Sequence, residues 1–394
     1  MEQPVNSRKT SKCLVTMALI MGCHPAMAQK YPSPLPVESI GTIETLPATY
    51  PRDWVFIQDA YFDSMIDGRV VLVDTSSPSQ PMKGMFNAGQ MASYAVPTTG
   101  SDIYVAETYY SRLSRGTRTD VISIWDKVTL GWKGEIELPG GKRGQTVPTG
   151  HNFQLINDEK WAAVFNFTPA ASISIVDLAS RKILSDIDIP GCTMIYPLAG
   201  AGFMSLCADG TMASIRLKPN GEAETTVSSK PFNVIDDNPM FMTPARIGTT
   251  AWFATFKGDI RGIDLSGTVA RDLGAFALPR EKTAEGEWRP GGWQVIAGSD
   301  AGLLYVLMNS AGKEGSHKDG GSEIWVVDPK TKQRTSRFAL KSPAFTIQVT
   351  HGATPRLVAA LPDGSMDVYD ATAGQFQHHL GPMVHSPYVM VAAP

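Results

Sequence analysis

Ile173-Ser174-Ile175-Val176-Asp177 and Ile324-Trp325-Val326-Val327-Asp328 are short apolar runs that each end on an aspartate, with Ser or Thr within the next three residues. The same construction recurs at Val70-Val71-Leu72-Val73-Asp74, Ile122-Ser123-Ile124-Trp125-Asp126, Ile260-Arg261-Gly262-Ile263-Asp264 and Met366-Asp367-Val368-Tyr369-Asp370. Ala213-Ser214-Ile215-Arg216-Leu217 fills the long gap between the third and fourth of these in chain order, with the aspartate lost. Seven strand-plus-turn units at intervals of roughly 40 to 65 residues predict an all-β fold, a seven-bladed β-propeller of four-stranded antiparallel blades. The repeated aspartates need no catalytic explanation. A carboxylate at a strand end accepts backbone N–H groups two residues on and sets the turn.

The first 28 residues read as a cleaved leader. Arg8, Lys9 and Lys12 precede an apolar stretch from Cys13 to Cys23, and Ala26-Met27-Ala28 supplies a small-x-small cleavage site. That stretch is about half of what a membrane span needs, so the processed chain is expected to be exported and free of the membrane. Residues 29–36 carry three prolines in eight positions and predict an extended arm. Residues 37–394 show no linker and predict one propeller domain. Val37 to Leu46 beside Tyr388 to Ala392 is the expected pair of strands that closes the ring.

Without the leader the chain keeps 32 basic and 37 acidic residues. This mild acidity, with no basic run interleaved with aromatics, argues against nucleic acid. Only Cys192 and Cys207 remain, and in an oxidising compartment they are expected to form a disulfide.

Asp209-Gly210 and Asp363-Gly364 sit at equivalent places before their following strands, as does Lys257-Gly258, and predict two-residue hairpins with positive φ at both central positions. Three stretches exceed ordinary turn length: Tyr109 to Thr119, Leu278 to Gly292 and Asn309 to Ser322. Arg280 to Gly286 within the second is expected to form a helical turn. Propellers present such insertions on their faces, where ligands and partners bind.

Self-contained chemistry is scarce. No histidine pair has the spacing of a helical metal site. His378-His379 lie on one expected strand and point to opposite faces, as edge residues. Gly140-Gly141-Lys142-Arg143-Gly144 lacks the following helix of a phosphate loop and reads as a turn. No catalytic constellation and no metal site are expected. Trp288-Arg289-Pro290-Gly291-Gly292-Trp293-Gln294 stands apart, because Trp and Arg are typical interface anchors. Packing of both Trp rings between blades is the competing reading.

That segment, together with Ser111-Arg112-Leu113-Ser114-Arg115-Gly116-Thr117-Arg118-Thr119-Asp120, Glu135-Ile136-Glu137-Leu138-Pro139, the Cys192/Cys207 pair and His317-Lys318, resembles the heavy subunit of the tryptophan tryptophylquinone amine dehydrogenases, the methylamine and aromatic amine dehydrogenases. The resemblance extends over essentially the whole processed chain. It implies a periplasmic α2β2 assembly in which this chain is the heavy (alpha) subunit. The tryptophan tryptophylquinone would lie on the light (beta) subunit, with no cofactor in this chain. The implied reaction is oxidative deamination of a primary amine to aldehyde and ammonia, with electrons passed to a blue-copper protein of azurin or amicyanin type. Because the chain matches the methylamine type only in blocks, aromatic or aralkyl amines are the expected substrates. In this family a heavy-subunit Phe reaches the substrate pocket. The matching stretch is Asp59-Ala60-Tyr61-Phe62, which points to Phe62, with Tyr61 as the alternative and burial of Phe62 in the propeller core as the contrary reading.

Overall fold

In the computed structural model, residues 45–394 are described. The expected leader, the arm and most of the proposed first closing strand (37–44) lie outside them. Seven antiparallel sheets are present, six of four strands and one of five. Every repeated segment recognised above falls on the third strand of its blade, counted from the inside: Arg69–Asp74, Arg115–Asp126, Ser172–Asp177, Met212–Leu217, Asp259–Asp264, Gly321–Asp328 and Met366–Asp370. These strands are apolar on both sides because a blade is sandwiched between two neighbours. Val70, Ile122, Ile173, Ile260, Trp325 and Val368 are all buried.

The aspartates do what the turn reading requires. Asp74 accepts from the N–H and hydroxyl of Ser76, Asp177 from those of Ser180, and Asp264 from the Ser266 N–H. At Asp177 and Asp264 the backbone N–H bond is the main cause holding the carboxyl below its ordinary range.

The ring closes through Pro387–Ala392, which pairs antiparallel with Trp54–Asp59 and becomes the inner strand of blade 1. The C-terminal half of the expected closing pair is therefore correct. Its N-terminal half is corrected: the partner is Trp54–Asp59, whose six residues are all buried. The chain before it crosses blade 2 instead, where Leu46 N–H bonds to Val128 O at 2.8 Å.

Strand alternation sorts the connections onto two faces. First-to-second and third-to-fourth turns, with their aspartates, share one face. Second-to-third connections and the links between blades share the other, and all three long insertions fall there.

Two local expectations fail. Arg280 to Gly286 is not helical. It forms a hairpin with a Lys282–Glu287 bridge, because the Thr283 hydroxyl accepts the N–H groups of Glu285 and Gly286. That hairpin delivers Glu287–Pro290, the extra strand of blade 6. At Asp209-Gly210 and Asp363-Gly364 only the glycines take positive φ, 79° and 83°. The Asp carboxylates instead accept the N–H groups of Thr211 and Ser365, which makes the left-handed conformation unnecessary for Asp.

Candidate functional site

Phe62 opens a 3-10 segment, Phe62–Asp67, that links the second and third strands of blade 1 on the insertion face. Asp59 determines its path. The Asp59 carboxylate is fully buried and accepts the N–H groups of Tyr61 (3.0 Å), His385 (2.9 Å) and Ser386 (2.8 Å), with Arg69 at 3.4 Å. This hub ties the 60–68 loop to the link that enters the closing strand. It also holds Tyr61 at φ 43°, a conformation few side chains adopt without such support.

The two candidate rings then diverge. Tyr61 packs edge-on against His385, with the Arg69 guanidinium 5.8 Å from its ring centre. Phe62 is 39 % exposed, which excludes a core role. Its ring meets Tyr388 edge-on at 5.1 Å. Tyr388 in turn contacts Trp293 at 5.0 Å and Phe345 at 5.4 Å, and Trp293 stacks over Phe345. Phe62 and Trp293, 231 positions apart in sequence, thus belong to one aromatic cluster drawn from blades 1, 6 and 7.

Trp293 is held by its ring N–H and by the backbone before it. Its ring N–H donates to Pro148 O at 2.8 Å, and the preceding Gly292 has φ 135° with Phe345 O only 2.5 Å from where a Cβ would stand. Two hollows flank the cluster. One, of about 210 Å³, is lined by Phe62, Phe345, Pro362 and Tyr388. The other, of about 270 Å³, lies beyond Trp293 and includes Phe241, Phe256 and His317, the last two stacked at 4.1 Å. Farther along the same face Phe167, Val234, Ile235 and Met242 are exposed.

Trp288 and Arg289 do not join this cluster. Trp288 packs on the fully buried Trp325 at 5.9 Å, and Arg289 pairs with Glu287. Of the Trp288–Gln294 side chains, Trp293 reaches the face beside Phe62, whereas Trp288 packs on Trp325 within blade 6. Trp325 needs no further role, since its ring N–H donates to Glu323 and Arg334 covers it at 4.2 Å.

The expected disulfide joins Cys192 and Cys207, which are directly opposed on neighbouring strands of blade 4. His378 and His379 point apart, to Thr75 O and to Asp367. Gly140 sits in a turn as expected, and the Arg143 that follows is buried and donates to Gln90 O, Met91 O and Thr108. Among the described residues no group of three or more His, Cys, Asp or Glu is arranged to hold a metal.

The methylamine dehydrogenase heavy chain family model matches residues 54–394, the whole ring from Trp54–Asp59, the second strand of blade 1, onward. The chain belongs to the methylamine dehydrogenase heavy chain family. It is 27 % identical to the methylamine dehydrogenase heavy chain of Methylobacillus flagellatus over 379 residues, covering 92 % of each chain. It is 28 % identical to that of Paracoccus versutus over 347 residues, covering 85 % of this chain and 78 % of the relative. Among solved structures, dihydro-heme d1 dehydrogenase NirN superposes with a TM-score of 0.51 at 13 % identity, over 88 % of this chain and 78 % of that one. That likeness speaks for the fold alone. Membership of the heavy chain family implies a light-chain partner and an amine dehydrogenase role for the assembly. Phe345, Tyr388 and Asp59 were not singled out by sequence reasoning. Tyr388 was visible only as part of a strand, and nothing in its spacing marked the ring as facing outward.

Proposed function

We propose that this chain is the non-cofactor-bearing subunit of a periplasmic α2β2 amine dehydrogenase, and that the light subunit docks on the insertion face with Phe62 at the amine entrance. Once docked, the light subunit's quinone would take the electrons of the amine and pass them to a blue-copper protein. The observation carrying this reading is the Phe62–Tyr388–Trp293–Phe345 cluster, presented on the one face that also bears the insertions and hollows. An aromatic wall excludes water and selects the organic part of an amine by size. Asp63 and Asp67 beside Phe62 favour approach of a primary ammonium ion. The breadth of the aromatic cluster supports aralkyl amines as substrates. The names of the relatives favour a second reading, methylamine.

The test is purification of the native complex, followed by kcat/KM across an amine series from methylamine to phenylethylamine. A small partner chain with visible quinone absorption and a maximum at aralkyl amines is the expected result. A maximum at methylamine selects the second reading. A colourless single chain inactive on every amine overturns both.

A further inference from the structure

The inner strands of the propeller enclose a central cavity of about 300 Å³, to which blades 1, 3, 5, 6 and 7 contribute side chains. Its wall is apolar at Ile296 and Val389 and polar at His151, Gln154, Arg246 and Gln348. Among the described residues no Asp or Glu lines it. Arg246, on the inner strand Ala245–Ile247 of blade 5, makes no ion pair with any described residue. The carboxylate of the neighbouring channel mouth, Asp300, is already engaged by His351, Arg52 and the Gly352 N–H.

The other polar groups leave donors available. Gln294 donates its side-chain N–H to Gln348 Oε1 at 3.1 Å, which orients the Gln348 amide and leaves its own NH₂ without an acceptor among the described residues. The Arg246 guanidinium is exposed on the channel wall, with an amide donor on the same wall and no counter-charge among the described residues; a planar fork of this kind pairs strongly with oxyanions. A chain that is acidic overall has thus concentrated donors at its axis. We propose that the central channel binds a small oxyanion, with Arg246 as its anchor and Gln348 as a second donor. The cavity holds such an ion with several waters, each needing about 30 Å³. The same charge repels primary ammonium ions, so the channel is not a route for amine.

The full-length protein as purified is titrated calorimetrically with sulfate and with acetate, against sodium chloride at equal ionic strength, and the melting temperature is followed in parallel. Saturable binding tighter than about 1 mM is expected, with a rise in melting temperature, since a ligand bound only by the folded state stabilises it. Arg246→Gln is expected to weaken binding at least tenfold without lowering the melting temperature in chloride. Gln348→Leu supplies the same test should the first variant fold poorly. Preference for sulfate assigns a free inorganic oxyanion, and preference for acetate an organic carboxylate. Binding no tighter than chloride, or binding unchanged in both variants, overturns the proposal.

Discussion

At Phe62 a single ring separates fold from function. Its 39 % exposure means that Phe62→Ala removes little core, so the unfolding midpoint should hardly move. On the proposed reading, the ratio of kcat/KM between phenylethylamine and methylamine should change by about tenfold. An unchanged ratio across the amine series would remove Phe62 from the entrance. Asp59 is the opposite case, buried and invisible to solvent yet the hub of four donors. Asp59→Ala leaves those donors unsatisfied and should cost about 3 kcal/mol in urea unfolding. The sequence singled out the stretch containing both residues but not their division of labour. The pattern marks a strand ending at Asp59, whereas the partners that bury its carboxylate lie more than 320 positions away.

Within the elements, legibility followed the range of the interactions. The third strands were readable because alternation, burial on both sides and the aspartate turn are all local. The hairpin at 280–290 was not, since its conformation depends on Thr283 and on the ion pairs of Glu281 with Arg334 and Arg337 from another strand. The disulfide was readable from two cysteines, and the strand register now explains it: the pair is in direct opposition. Cys192→Ser should lower stability by about 3 kcal/mol on the chain-entropy account, with the loss reproduced in the parent protein by reductant. Equal urea midpoints with and without reductant would contradict this. Gly364 is the strictest of the turn glycines, at φ 83° with Val384 O where a side chain would begin. Gly364→Ala should destabilise by about 2 kcal/mol or more, measured in the same way.

For the whole molecule, acid should act in two stages. His151 packs on Tyr196 and is pushed down to about 4, chiefly by desolvation and further by Arg246. A histidine whose folded value lies below its ordinary 6.5 contributes stability that is complete above 6.5 and is lost as pH falls toward 4. Asp300 is lowered to about 2, first by the Gly352 N–H and then by His351 and Arg52. Its contribution is present above 3.8 and disappears as pH falls through 2. Urea midpoints measured from pH 8 to pH 2 should therefore decline in two steps, and His151→Gln should shrink the upper one, to which His317, also lowered by desolvation, contributes the remainder. Blade number was legible at this scale because propeller units repeat in sequence. The identity of the closing strand was only half legible, because the pairing of Pro387–Ala392 with the fully buried Trp54–Asp59 is a long-range contact that local alternation does not reveal.

Blade 1 is built from residues 54–87 and from 387–392, segments about 300 positions apart. Until the closing strand is made, the opening strands must therefore wait with an unpaired edge, and an unpaired edge is an invitation to aggregate. Six blades can mature in order, but the toroid locks only when its tail returns to its head. A cell making this protein must shelter that edge until Pro387–Ala392 has been made, which makes chaperone supply part of its folding problem.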